Sequence, residues 1–395
     1  MSKLESMRFM LIIIFLALPS AAHAFGWNIQ NDFSYKYTYR VFNNTNLSEL
    51  QNSNDHLIRD TLNINLSQGN FNFEFHPEIR SLWSDGQAVS EEDPAFLTAK
   101  SPHRLFRLEH ALRQEVNHSV FSDVERVYLT FQNNSMELTA GRSPLGIGVM
   151  KVLPIWNKFS PALINTAGSD LVFNPDLVNF KYQWQEVSFG LIDIESSQAS
   201  DKIGLAQIIW YSPWVELQVI GGRWWERGAG GLAFVKDIGG WSVKGESLFL
   251  DASEVTERES QIGLGVEYAF TPKLSFLTEG LYESLGARGS NDYFHNKLSR
   301  FQNLLAERYW YFQFDYNWTD FIKSSLGPLI NLSDQSSLWI GEVNYSVTSD
   351  IDIGFQCRVP IGGEAQEFGH MTIDPNEGLY IGFPQKYSLS LHYVF

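Results

Sequence analysis

The stretch "KYSLSLHYVF" (386–395) ends the chain with Leu389, Leu391, Tyr393 and Phe395 at every second position and Ser388, Ser390 and His392 between them. Period two is the mark of a strand with one apolar face, because successive side chains of an extended backbone point to opposite sides. Chain ends usually fray into polar residues. A strand here needs something to bury its apolar face and a neighbour to pair with its backbone.

The same alternation recurs along the chain. Phe33, Tyr35, Tyr37, Tyr39 and Val41 share one face against Asp32, Lys36 and Arg40. Phe71, Phe73 and Phe75 stand against Asn72, Glu74 and His76, and Val127, Leu129 and Phe131 against Arg126, Tyr128 and Thr130. In "ERYWYFQFDYNW" (307–318) the apolar face is Trp310, Phe312, Phe314, Tyr316 and Trp318. "IGLAQIIW" (203–210) and "AGGLAFVKDIG" (229–239) are ambiguous in phase. Pro328 removes a ladder donor and is expected near a strand end or bulge.

The connections fall into two classes. Tight turns are expected at 68–69, 133–134, 185–186, 212–213, 238–240, 271–272, 319–320 and 349–350. Longer connections are expected at 43–55, 84–123, 143–175, 195–201, 226–229, 252–258, 285–306, 331–335 and 361–385. Short turns at one end and long loops at the other are typical of transmembrane barrels. The reading is an all-β, up-and-down antiparallel transmembrane β-barrel of about 18 strands (16–18). An even number puts both termini on the periplasmic side, lets the last strand pair with the first, and leaves no edge. Lipid then buries Leu389, Leu391, Tyr393 and Phe395. Tyr211, Trp214, Trp241, Phe270, Trp318 and Phe321 flank the tight turns, where an interfacial girdle belongs. "SPHRLFRLEHALRQEV" (101–116), with Leu105, Leu108 and Leu112 at helical spacing, is expected to be a helix in the 84–123 loop.

Lys3 and Arg8 flank an apolar run from Phe9 to Pro19, and Ala22-His23-Ala24 is a small-x-small cleavage site. This reads as a secretory signal peptide over 1–24, leaving residues 25–395 as one barrel domain. The formal net charge of −16 argues against nucleic-acid binding, and the single Cys357 excludes an intrachain disulfide. No later run of apolar residues is long enough for a membrane helix. With 14% aromatic residues, the chain suits strands that meet lipid at every second position.

In this register the inward positions carry both signs. Arg80, Arg126, Arg142 and Lys181 stand among the bases, and Glu137, Glu267, Asp315 and Glu342 among the acids. Charge at a lipid midplane costs several kcal/mol, so these residues belong to a lumen. Eighteen strands enclose more space than side chains fill, which leaves a water-filled pore or a plug. The 143–175 loop, rich in Gly and Pro at its start, is expected to fold inward and narrow the channel, with Arg126, Glu137, Arg142 and Lys181 at its base. Opposed charges there would set a field across the constriction; Arg142 reads equally as a strand-end residue that simply reaches water.

The segment "ELTAGRSPLGIG" (Glu137–Gly148) resembles the strand, Gly-Arg-Gln, apolar, Gly pattern of alginate-export-type and related substrate-specific porins, with Ser143 where that family commonly has Gln. The resemblance covers roughly residues 104–195 and implies a Gram-negative outer-membrane barrel that passes small solutes or polyanionic sugars. The terminal alternation ending on Phe395 likewise resembles the signal read by the barrel-insertion machinery. Outer-membrane lipid and lipopolysaccharide are then the implied surroundings, and a homotrimer the oligomer many porins form. No cofactor is implied and no metal site is read.

An enzyme in a barrel would need a compact Ser/His or Asp/His group. The histidines are dispersed, and no nucleophile elbow, zinc pair or calcium loop occurs. The functional expectation is a passive channel for small hydrophilic solutes. An exopolysaccharide secretion pore and a non-conducting scaffold or adhesin are the alternatives.

Overall fold

The computed structural model describes residues 26–41, 52–85, 104–106, 108, 110–115, 117–156, 174–196, 202–253, 257–289, 293, 304–363, 366–374, 379–382 and 384–395. The expected signal segment with Ala22 and Ala24 lies outside these residues, as do stretches of the four longest loops.

In chain order the strands are β1 (Gly26–Val41), β2 (Ser53–Gln68), β3 (Phe71–Ser84), β4 (His110–Glu115), β5 (His118–Gln132), β6 (Met136–Arg142) and β7 (Asp176–Trp184). There follow β8 (Val187–Ile194), β9 (Ile203–Tyr211), β10 (Glu216–Trp224), β11 (Arg227–Ile238), β12 (Trp241–Leu250), β13 (Glu259–Ala269) and β14 (Leu274–Glu283). The last are β15 (Arg308–Asn317), β16 (Ile322–Asn331), β17 (Ser337–Ser346), β18 (Ile351–Ile361), β19 (His370–Asp374), β20 (Leu379–Gly382) and β21 (Gln385–Val394). Setting aside β4, β19 and β20 leaves eighteen of the twenty-one, each antiparallel to the next, in one closed ring.

The ring closes through the terminal strand. β21 pairs with β18 on one side and β1 on the other, from Asp32↔Val394 to Val41↔Gln385. Asn31 and Phe395 exchange backbone hydrogen bonds of 2.7 and 2.9 Å. Leu389, Leu391, Tyr393 and Phe395 face outward and are exposed, as are Trp310, Phe314 and Tyr316 on β15 and Leu129, Leu138 and Val178 around the wall. The girdle residues Tyr211, Trp214, Trp241, Phe270, Trp318 and Phe321 are exposed beside the tight turns. All eight turns expected as tight join consecutive strands at one end, which also carries the start of β1 and the end of β21.

Two expectations are corrected. The 101–116 segment is not helical where it is described: His110–Glu115 is β4, paired with the upper part of β5. The reason is local. β6 leaves the wall at Arg142, so β5 above Val127 lacks that neighbour, and β4 supplies backbone partners from Glu115↔His118 to His110↔Ser122. Second, the connection expected at 226–229 is a two-residue turn, Trp225-Glu226, with φ of 50° and 64°. This left-handed pair is what a tight hairpin with right-twisted strands uses. The long connection expected at 361–385 lies between β18 and β21 and carries a small hairpin of its own, β19–β20. Pro328 lies inside β16 rather than near its end, but the β15–β16 pairing is interrupted there, between Tyr311↔Leu329 and Phe314↔Leu326.

The lumen is not lined by polar groups throughout. Towards the long-loop end, Ile192, Ile194, Ile203, Leu205, Ile220, Trp224 and Leu248 face inward and are buried against a loop. A second apolar cluster joins Leu277, Tyr309, Tyr311, Leu329 and Leu338 of β14–β17 to Tyr293, Leu304 and Phe368 of the long loops.

Candidate functional site: the constricted lumen

The constriction begins where β6 stops. Gly141 has φ +126°, and a Cβ there would lie 2.3 Å from the Val127 carbonyl oxygen, so glycine alone lets the chain turn off the wall at this point. Arg142 follows, fully buried. Its Nε donates to Asp176 Oδ1 at 2.9 Å and its Nη1 to the Val124 carbonyl at 2.8 Å. Nη2 donates to the Phe106 carbonyl at 2.5 Å, and Asp123 Oδ1 lies 3.5 Å from Nη1. Asp176 opens β7, so this pair ties together the two ends of the 143–175 loop. The guanidinium also takes up two backbone carbonyls at the place where the wall is interrupted.

Residues 143–156 then cross the lumen to the far wall. Glu246 on β12 accepts the backbone N–H groups of Val149 (2.6 Å), Met150 (3.2 Å), Ile155 (2.9 Å) and Trp156. Glu279 on β14 accepts those of Lys151 (2.8 Å), Val152 (2.9 Å) and Leu153 (2.7 Å). An irregular segment has no ladder to pair its amides, and buried amides left unpaired are costly. Two carboxylates therefore replace a strand partner for one turn of loop. Apolar contacts complete the attachment: Leu145, Ile147, Ile155 and Trp156 pack on the inner face of β7–β12, and the Trp156 indole N–H donates to the Ser247 carbonyl at 2.8 Å. Inward Gly263 and Gly265 on β13 leave the space that Ile155 and Met150 occupy.

The wall of β1–β5 carries paired charges. Arg40 bonds Asp55 at 2.5 Å; Arg59 bonds Glu78 at 2.7 Å and Glu125 at 2.6 Å. Arg80 meets Glu78 at 3.0 Å and Asp123 at 3.3 Å, and Arg104 meets Asp123 at 2.6 Å. Glu125 is the extra residue of a β-bulge opposite His76/Pro77, which brings it to Arg59.

The eight residues expected at the pore divide into groups. Arg80, Arg126 and Arg142 are brought into one neighbourhood by Asp123 and Glu125, with Arg126 Nε 3.8 Å from Glu125. Arg142 is an internal tie of the loop base rather than a residue presented to water. Glu137 and Lys181 pair at 3.4 Å nearer the tight-turn end. Glu267 stands across the lumen, bonded to Lys151 of the loop at 2.6 Å and also to Lys244. Asp315 on β15 and Glu342 on β17 lie apart from these; Glu342 accepts from Asn344 at 2.5 Å and Gln356 at 3.4 Å. Glu246 and Glu279, which alternation marks only as inward, are the residues that hold the loop. Their one signal in the sequence is the neighbouring inward Gly263 and Gly265, a seat with no side chain of its own.

No known protein-family pattern matches the chain, and no curated protein is similar to it in sequence. Among solved structures it is similar to the outer-membrane protein OpdK of Pseudomonas aeruginosa, with a TM-score of 0.55 and 10% identity over 93% of this chain and 98% of that one. OccAB4 of Acinetobacter baumannii gives a TM-score of 0.54 and 10% identity over 93% and 98%. OccK7 (OpdD) of Pseudomonas aeruginosa gives 0.55 and 11% over 94% and 98%. At such identities the likeness is one of fold, over nearly the whole length.

Proposed function

We propose that the chain is an outer-membrane porin for passive diffusion of small hydrophilic solutes, constricted by its 143–175 loop. One observation carries the reading: a closed ring of strands with exposed aromatic and aliphatic side chains outside and a charged lumen crossed by a tethered loop inside. An apolar exterior of this height has no use in water, and a closed barrel satisfies every backbone group in lipid. The tight-turn end, with both termini, faces the periplasm, and the long loops face outward. Lipid and lipopolysaccharide are the surroundings, Leu389, Leu391, Tyr393 and Phe395 form the insertion signal, and residues 1–24 are the export signal. Pairing of arginines with carboxylates along β1–β5 favours small solutes over the polyanionic sugars of an alginate-export pore.

Liposome swelling tests the reading. Purified protein should admit monosaccharides and amino acids quickly and larger oligosaccharides slowly, and excision of 146–170 should relax that size limit. Liposomes that swell no faster than protein-free ones refute it.

A further inference from the structure

Below the loop base, on the tight-turn side, a cavity of about 760 Å³ opens into the lumen. Its wall contains a lateral row of four uncharged polar residues on adjacent strands. Asn72 on β3 is opposite Thr130 on β5, Thr130 is opposite Thr139 on β6, and Thr139 is opposite Asn179 on β7. The two threonine hydroxyls lie 3.1 Å apart. Asn179 is only 8% exposed, and its side-chain oxygen has no hydrogen-bond partner. A buried amide oxygen left unpaired is costly, and a small turn of the Asn179 side chain towards the cavity would let a solute hydroxyl donate to it.

Charge decides what that something is. The next row towards the periplasm pairs Glu137 with Lys181 at 3.4 Å. The row above contributes Glu74, which accepts from Asn72 at 3.2 Å and lies 3.6 Å from His76 Nε2. In that row Tyr128 is followed by Gly141, which has no side chain. One acid more than base repels carboxylates, and both acids already have partners, so a cation gains little. Neighbouring strands put the four backbone positions about 4.8 Å apart and the two threonine hydroxyls approach to 3.1 Å, separations of the order found between hydroxyls on a sugar ring. Amides and hydroxyls both donate and accept, as sugar hydroxyls do, and the Tyr128 ring stands at the cavity wall.

We propose that Asn72, Thr130, Thr139 and Asn179 form a binding subsite for a neutral polyhydroxylated solute of mono- to disaccharide size, on the periplasmic side of the constriction. The proposal rests on the porin reading for its physiological sense but is tested apart from it. Saturation-transfer NMR on detergent-folded protein reads binding directly, with sucrose, gluconate and glucosamine as neutral, anionic and cationic probes. Sucrose should give transfer that gluconate and glucosamine do not compete away. T139V/N179A, which removes two hydrogen-bonding groups, should weaken sucrose binding about tenfold. N72A alone should weaken it less and checks the row in a variant that leaves Asn179 in place. Absence of sucrose transfer, or equal transfer in parent and T139V/N179A, overturns the subsite. Conductance of the same preparations tests the porin reading separately: a conducting channel without sucrose binding sinks only the subsite, and sucrose binding without conductance sinks only the channel.

Discussion

Replacing Glu246 and Glu279 together by glutamine should set the constriction loop moving. Seven backbone N–H groups between Val149 and Trp156 end on these two carboxylates, four on Glu246 and three on Glu279. Each oxygen of Glu246 accepts two of its four, so an amide nitrogen in place of either oxygen loses two bonds and faces two donors with a third. At Glu279 the better orientation places the nitrogen at Oε1 and loses only the bond from Lys151. Three charge-assisted bonds disappear, at roughly 1.5–3 kcal/mol each. Lumen water recovers part of this, leaving about 3 kcal/mol, or roughly a hundredfold rise in the detached population. Trp156, Ile155 and Leu145 still hold the loop by packing, so the result is flicker to a larger conductance rather than a permanently wide pore. Single-channel recording reads this directly. E267Q is the control, since it removes a lumen charge that binds Lys151 and Lys244 but accepts none of these backbone bonds. Current traces of E246Q/E279Q matching the parent in mean and noise would refute the latch.

Three further predictions follow from the same geometry. Arg142→Ala leaves Asp176 buried without its cation, while Asp123 keeps Arg80 and Arg104, and should cost about 3 kcal/mol of barrel stability; Arg142→Lys should rescue it poorly, for want of the planar fork, as read by the melting temperature of detergent-folded protein. Burial pushes the Glu367 carboxyl, in the connection after β18, up to about 7, against the lowering effect of hydrogen bonds from the Tyr309 hydroxyl and the Leu305 amide, with nearby Asp334 adding to the rise. A carboxyl raised on folding favours the folded arrangement when protonated, so this contact should be firmest at acid pH and weaken as pH rises towards and through about 7. The hydrogen-exchange protection factor at Leu305, which divides out the intrinsic pH dependence of exchange, should fall over that range, and E367Q should abolish the fall. Deleting Phe395 removes two backbone bonds to Asn31 and an outward ring stacked on Tyr393 at 5.1 Å; the yield of folded, heat-modifiable barrel should fall while any protein that folds keeps parental conductance.

Much of the wall was legible because lipid on one side and water on the other impose period two, as in β15 and β21. The pattern blurs where that contrast fails. β9 is ambiguous in phase because Ile203 and Leu205 face inward against the loop while Ile208 and Trp210 face outward, so both faces are apolar. The leucine spacing of 105–112 resembles a helix because β4 is a short flap that fills a gap in the wall, and that gap depends on where β6 departs. Gly141-Arg142 marks the loop base in the sequence. The landing point does not show, since Glu246 and Glu279 look like any other inward acid until the loop that bonds them is in place.

Planar-bilayer recording under a salt gradient tests the central claim most directly. Refolded protein should insert as discrete, stable conductance steps with a defined reversal potential. Protein that remains soluble without detergent and leaves the bilayer current unchanged would contradict it.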